Sequence, residues 1–154
     1  MDLSALQSAP QIVTAAGQIV IEEGRPLAGI YFLESGEVEI LKGGVLLAEI
    51  HEAGAVLGEM SWLLGTPPTA TVRSLTPCRL RHVANPPEFC RENPEITIYM
   101  AMLLARRVDS LNRYLVEIKN QFKDRADHLG IIDEVLGSLM NKHPRNIPRR
   151  EAGH

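Results

Sequence analysis

Residues 36–54 read GEVEILKGGVLLAEIHEAG, and this stretch decides the class of the fold. Two short apolar runs, VEIL and VLLAEI, flank Lys42-Gly43-Gly44-Val45. Two adjacent glycines take positive φ angles without a steric penalty, which is what a tight primed turn between antiparallel strands requires. The stretch therefore predicts a β-hairpin, with Gly36 and Gly54 as turns at either end.

The same rhythm extends outward. From residue 11 to about 83, short and often alternating apolar runs such as QIVIEEG (18–24) and AGIYFLESG (28–36) are broken every eight to twelve residues by turn signals. Such spacing is that of an antiparallel barrel or sandwich. The period then changes. Asn85-Pro86-Pro87-Glu88 combines a capping residue, first-turn prolines and a Glu three positions after the cap, predicting a short helix over about 86–92. Asn93-Pro94-Glu95 repeats the signal and opens a longer helix. In it Leu104, Val108, Leu111, Leu115, Ile118 and Phe122 recur at spacings of 4, 3, 4, 3 and 4, the seam of a coiled coil. These six predict a homodimer interface, while Tyr99, Met100, Met102 and Leu103 widen the apolar surface of the first turns so that it can pack on the barrel.

Beyond Phe122 the seam continues in phase, with Arg125 interrupting, through Leu129, Ile132, Leu136 and Leu139. Gly130 and Gly137 each cost about 1 kcal/mol relative to Ala in a helix interior, and a bend or break is expected near 128–131. The predicted organisation is a domain over 1–122 that includes the long helix, a helical extension over 123–140, and a disordered basic tail over 141–154 carrying Lys142, Arg145, Arg149 and Arg150.

A formal net charge of −3 over 154 residues leaves no basic footprint for nucleic acid. No signal peptide and no apolar run long enough to span a bilayer is present, so a cytoplasmic chain is expected. Cys78 and Cys90 lack C-x-x-C spacing, and the five histidines, His51, His82, His128, His143 and His154, are scattered. No catalytic residue and no metal site is assigned, and the two cysteines read as reduced, semi-buried thiols.

The chemistry concentrates in residues 58–73, GEMSWLLGTPPTATVR. Gly58 lets the backbone approach a ligand closely, and the short EMSWLL helix presents free N–H groups and a positive dipole end to an anion. Glu59 there equally suits a helix start without any ligand. Together with Gly24, YFLESGEVEI (31–40), Gly54 and Ala70-Thr71-Val72-Arg73, this segment resembles the cyclic nucleotide-binding domain of catabolite activators, protein kinase A regulatory subunits and cyclic-nucleotide-gated channels. The resemblance covers about residues 11–120. It implies a mainly β fold, an antiparallel β-roll followed by a short helix and a long dimerisation helix. The implied ligand is cAMP or cGMP, with no other cofactor. Glu59 would accept a hydrogen bond from the ribose 2′-hydroxyl, and the backbone around Met60, Ser61, Thr69 and Ala70 would meet the cyclic phosphate.

Two positions depart from that pattern. Pro68 stands where the phosphate-pairing arginine belongs; a charged hydrogen bond is worth roughly 1.5–3 kcal/mol, so its loss weakens phosphate binding by about tenfold to over a hundredfold. Pro68 also removes a backbone donor. Arg73, five residues on, reads as an exposed strand arginine. In the long helix, Leu111-Asn112 replaces the small hydroxyl residues that meet the purine, and Asn112 remains a candidate hydrogen-bond partner for a base. Catabolite activators follow the dimer helix with a winged helix-turn-helix; the 123–154 segment is too short for one, so direct DNA binding is not expected and the domain is expected to stand alone. Two functions fit. One is a dimeric, non-enzymatic sensor with weak or altered nucleotide binding; the other is a module that has lost the ligand and docks an effector protein.

Overall fold

The computed structural model describes residues 2–122 and 126–140. The basic tail expected over 141–154 lies outside the described residues. By its internal contacts the chain divides into two compact units, Met1–Met100 and the part from Ala101 onward, each described by itself.

The first unit opens with a short 3-10 helix, Ser4–Ser8, followed by eight strands: β1 Gln11–Thr14, β2 Ile19–Ile21, β3 Ile30–Ser35, β4 Val38–Lys42, β5 Val45–Ile50, β6 Val56–Leu57, β7 Thr71–Ser74 and β8 Cys78–Val83. The helix α1, Glu59–Leu64, lies between β6 and β7. All pairings are antiparallel and form two four-stranded sheets, ordered β1-β8-β3-β6 and β2-β7-β4-β5. This is the β-roll, and it encloses one core in which Leu33, Val38 and Leu80 are sealed from solvent. One buried polar pair links the sheets: the hydroxyls of Thr14 on β1 and Ser74 on β7 lie 2.6 Å apart, so neither is left without a partner.

The hairpin that the sequence predicts joins β4 to β5 with Lys42 opposite Val45. Gly43 and Gly44 have φ angles of 55° and 79°, the two left-handed residues of a primed turn. The VLLAEI run differs from its apolar reading. β5 is an edge strand paired only with β4, and Val45, Leu46 and Leu47 are all exposed.

The helix α2, Pro86–Glu92, begins where expected: the Asn85 side chain accepts from the Glu88 amide, and its own amide donates to the Glu88 carboxylate at 2.9 Å. Both halves of the cap are thus satisfied. The helix α3 runs Pro94–Gln121. Its first turns belong to the β-roll unit, with Ile96 and Met100 buried and the Tyr99 hydroxyl donating to the Gly54 carbonyl at 2.7 Å.

The second unit contains the rest of α3 and the helix α4, Ala126–Met140. The break expected at 128–131 is not there. Helix is continuous through Gly130 and Gly137, from Ala126 to Met140. Burial of Ile132 and partial burial of Leu136 on α4 offset two propensity penalties of about 1 kcal/mol apiece.

Candidate ligand site

The segment 58–73 folds as a strand end, a short helix and a strand. Gly58 caps α1 from the left-handed region, φ 88°, with no side-chain cap. A Cβ at this position would lie 3.0 Å from the Ile21 side chain, 3.1 Å from Leu27 and 3.4 Å from the Gly29 carbonyl. Glycine is therefore required twice, for its φ and for the close approach of the β2–β3 connection. The helix ladder begins with the Trp62 amide donating to the Gly58 carbonyl at 3.2 Å, so the amides of Met60 and Ser61 precede it and cluster at the positive end of α1. The far end closes on Gly65, also left-handed, φ 65°, with the Thr66 amide returning to the Ser61 carbonyl.

Around this cradle the predicted residues fall into two classes. Glu59 is buried and Ser61 half-buried, whereas Met60 and Thr69 are exposed and Ala70 is half-buried. Pro68 is buried, and its carbonyl accepts the Gly24 amide at 2.8 Å. Beside it the Thr71 hydroxyl accepts the Glu23 amide at 3.1 Å. The stretch after α1 is thereby stitched to the turn after β2 through the Pro68 carbonyl and the Thr71 hydroxyl, while Pro68 supplies neither charge nor N–H.

Residues 11–86 match the family model described as "Cyclic nucleotide-binding domain". The chain carries a cyclic nucleotide-binding domain. Over 65 residues, 42% of the chain, it is 38% identical to a cGMP-dependent protein kinase of Caenorhabditis elegans, and it spans only 8% of that protein's length. Its fold is similar to the catabolite activator protein of Thermus thermophilus, with a TM-score of 0.64 and 24% identity over 75% of this chain and 57% of that one. It is also similar to the C-linker/CNBHD of zELK channels, with a TM-score of 0.52 and 26% identity over 68% of this chain and 57% of that one.

In this cyclic nucleotide-binding domain the Arg73 side chain turns to strand β4. It sits opposite Glu39 in the β4–β7 register, and its guanidinium Nε donates to the Glu39 carboxylate at 2.6 Å, with a second contact from Nη2. The exposed strand arginine of the sequence reading is half-buried and committed to an ion pair. Alternation explains its direction, since Val72 and Ser74 on either side are buried. The signal available in the sequence was the glutamate at 39, but pairing it with 73 requires the register.

Asn112 belongs to the second unit, on α3, where its Oδ1 is sealed from solvent and has no hydrogen-bond partner. The six seam residues lie on the same helix; Val108, Leu111 and Phe122 are exposed in the single chain, and Leu104, Leu115 and Ile118 are half-exposed. Cys78, buried, and Cys90, half-buried, are free thiols. Among the described residues no group of His, Cys, Asp and Glu is arranged to hold a metal ion, and no helix is long and apolar enough to cross a membrane.

One functional contact escaped the sequence reading. Gly24 is visible as a motif residue, but that its amide meets the Pro68 carbonyl follows only from the folded chain.

Proposed function

We propose that the domain is a non-enzymatic regulatory module that takes a cyclic nucleotide with weakened or altered affinity and dimerises through the seam of α3. The observation that carries this reading is the cradle at Gly58. It keeps the left-handed cap, the uncapped amides of α1 and the buried Glu59, while the position of the phosphate-pairing arginine holds a buried proline. Backbone amides at a helix start favour an anion without any side chain. What is missing is the counter-charge, and Glu59 itself opposes an anionic ligand. Similarity to a cGMP-dependent kinase and to a channel domain crystallised in the presence of cAMP supports cyclic nucleotides as the ligand class.

Pro68 favours a second reading, a module that has lost the ligand and docks an effector protein. Its carbonyl is engaged with Gly24 and the residue is buried, so position 68 offers a ligand neither a charge nor an N–H. Calorimetric titration of the nucleotide-stripped chain with cAMP and cGMP, up to millimolar ligand, separates the two. A saturable isotherm supports the sensor. No heat in the unmodified chain, with binding gained in Pro68→Arg or in the exposed neighbour variant Thr69→Arg, supports the docking module. No binding in any of the three removes cyclic nucleotide from the proposal altogether.

A further inference from the structure

In the second unit, Lys119 of α3 and Asp133 of α4 form an ion pair. Fourteen positions apart, they would be about 21 Å from one another along a single straight helix, so α4 turns back beside α3. The packing between them is incomplete. Leu136 of α4 lines, with Asn112 and Val116 of α3, a groove of about 700 Å³. Asn112 Oδ1 is also sealed from solvent without a donor, and an acceptor buried without a partner disfavours the arrangement that buries it. α4 also carries Gly130 and Gly137, and a Cβ at either would meet nothing within 4 Å. Neither glycine is needed for close approach, so both simply weaken the helix.

The docked position matters because of what it adjoins. Asn112 and Lys119 each follow a seam residue, Leu111 and Ile118, and are seven residues apart. They occupy the flank that, in a parallel two-stranded coiled coil, faces the partner helix. We infer that α4 is a releasable strap that docks on the flank of α3 and competes there with a second copy of the chain. This rests on the dimer proposed above. A half-exposed ion pair, a loosely filled groove and a stranded acceptor hold it weakly enough to exchange for another helix.

The test uses the full chain and two readouts, hydrogen exchange of the α4 amides and the dimer dissociation constant from sedimentation equilibrium. Exposed ion pairs are worth up to about 1 kcal/mol. Lys119→Asp or Asp133→Lys should therefore speed α4 exchange by about two- to fivefold and tighten the dimer by a similar factor. The doubly reversed chain should return both toward the parent. Asn112→Leu removes the stranded acceptor, and should slow α4 exchange and weaken the dimer. Exchange of α4 at the unfolded rate in the parent, or unchanged exchange in every variant, overturns the strap. Changed exchange with an unchanged dimer constant overturns the competition. Changed exchange with no dimer at any concentration leaves the strap standing and overturns the dimer reading instead.

Discussion

Two residues frame the proposed ligand cradle, one by what it lacks and one by what it bonds. Gly58 lacks a side chain where a Cβ would press on Ile21 and Leu27, and it holds a φ of 88° that other residues reach only with strain. Gly58→Ala should destabilise the β-roll by about 1–3 kcal/mol, the cost of an unfavourable φ compounded by two tight contacts. At 154 residues that corresponds to a drop in melting temperature of several degrees, and an unchanged calorimetric melt would refute the assignment. Pro68, where the proposed function lacks a counter-charge, contributes a carbonyl to Gly24. Because that bond uses only the backbone, Pro68→Ala should keep it, and the change in stability should stay near or below 1 kcal/mol through added freedom in the unfolded chain. Urea titration of the two variants side by side therefore separates a position that demands its residue from one that tolerates exchange.

At the scale of elements, the ion pair between Arg81 on β8 and Glu34 on β3 ties the sheet to the amino-terminal 3-10 helix. The Arg81 guanidinium donates to Glu34 at 2.6 Å, to the Ala9 carbonyl at 3.0 Å and to the Gln7 side chain at 2.9 Å. That hydrogen bond, helped by one from Gln11, holds the Glu34 carboxyl below its ordinary value of 4.5. A depressed carboxylate contributes stability that is full above the ordinary value and is lost as pH falls through the folded one. The parent should thus exceed Glu34→Gln in stability at neutral pH, with the difference shrinking below pH 4.5. A pH-independent difference in urea midpoints would show that the pair contributes packing rather than charge. Much of this scale was legible beforehand. The Gly43-Gly44 turn and the Asn85 cap announce themselves because each is a local device whose residues adjoin in the chain. The buried Pro68 joint, the Arg73–Glu39 pair and the exposure of β5 were not legible, because each depends on which strand lies beside which. Of the bend or break that propensity places near Gly130, the break does not occur, since helix persists there. Since a Cβ at Gly130 or Gly137 meets open space, Gly130→Ala with Gly137→Ala should raise α4 protection from hydrogen exchange, by up to about 1 kcal/mol for each substitution.

For the molecule as a whole, the decisive feature is a helix that serves the β-roll at one end and offers an apolar stripe at the other. Ile96, Tyr99 and Met100 are fixed to the β-roll, while Val108, Leu111 and Phe122 stay 40–46% exposed in the single chain. A stripe at 4-3 spacing whose exposed members run over about four turns is what a parallel partner helix would cover. Leu111→Asp places an unpaired charge at the centre of that stripe, and burying such a charge is far costlier than leaving it in water. The variant should therefore weaken the dimer at least tenfold in sedimentation equilibrium. Because Leu111 is already exposed in the single chain, the melting of a dilute monomer should not move. Loss of both dimer and monomer stability would place Leu111 in the fold of the single chain instead. A parent that sediments as a monomer at every concentration would leave the stripe to a different protein, which is the docking reading of the same surface.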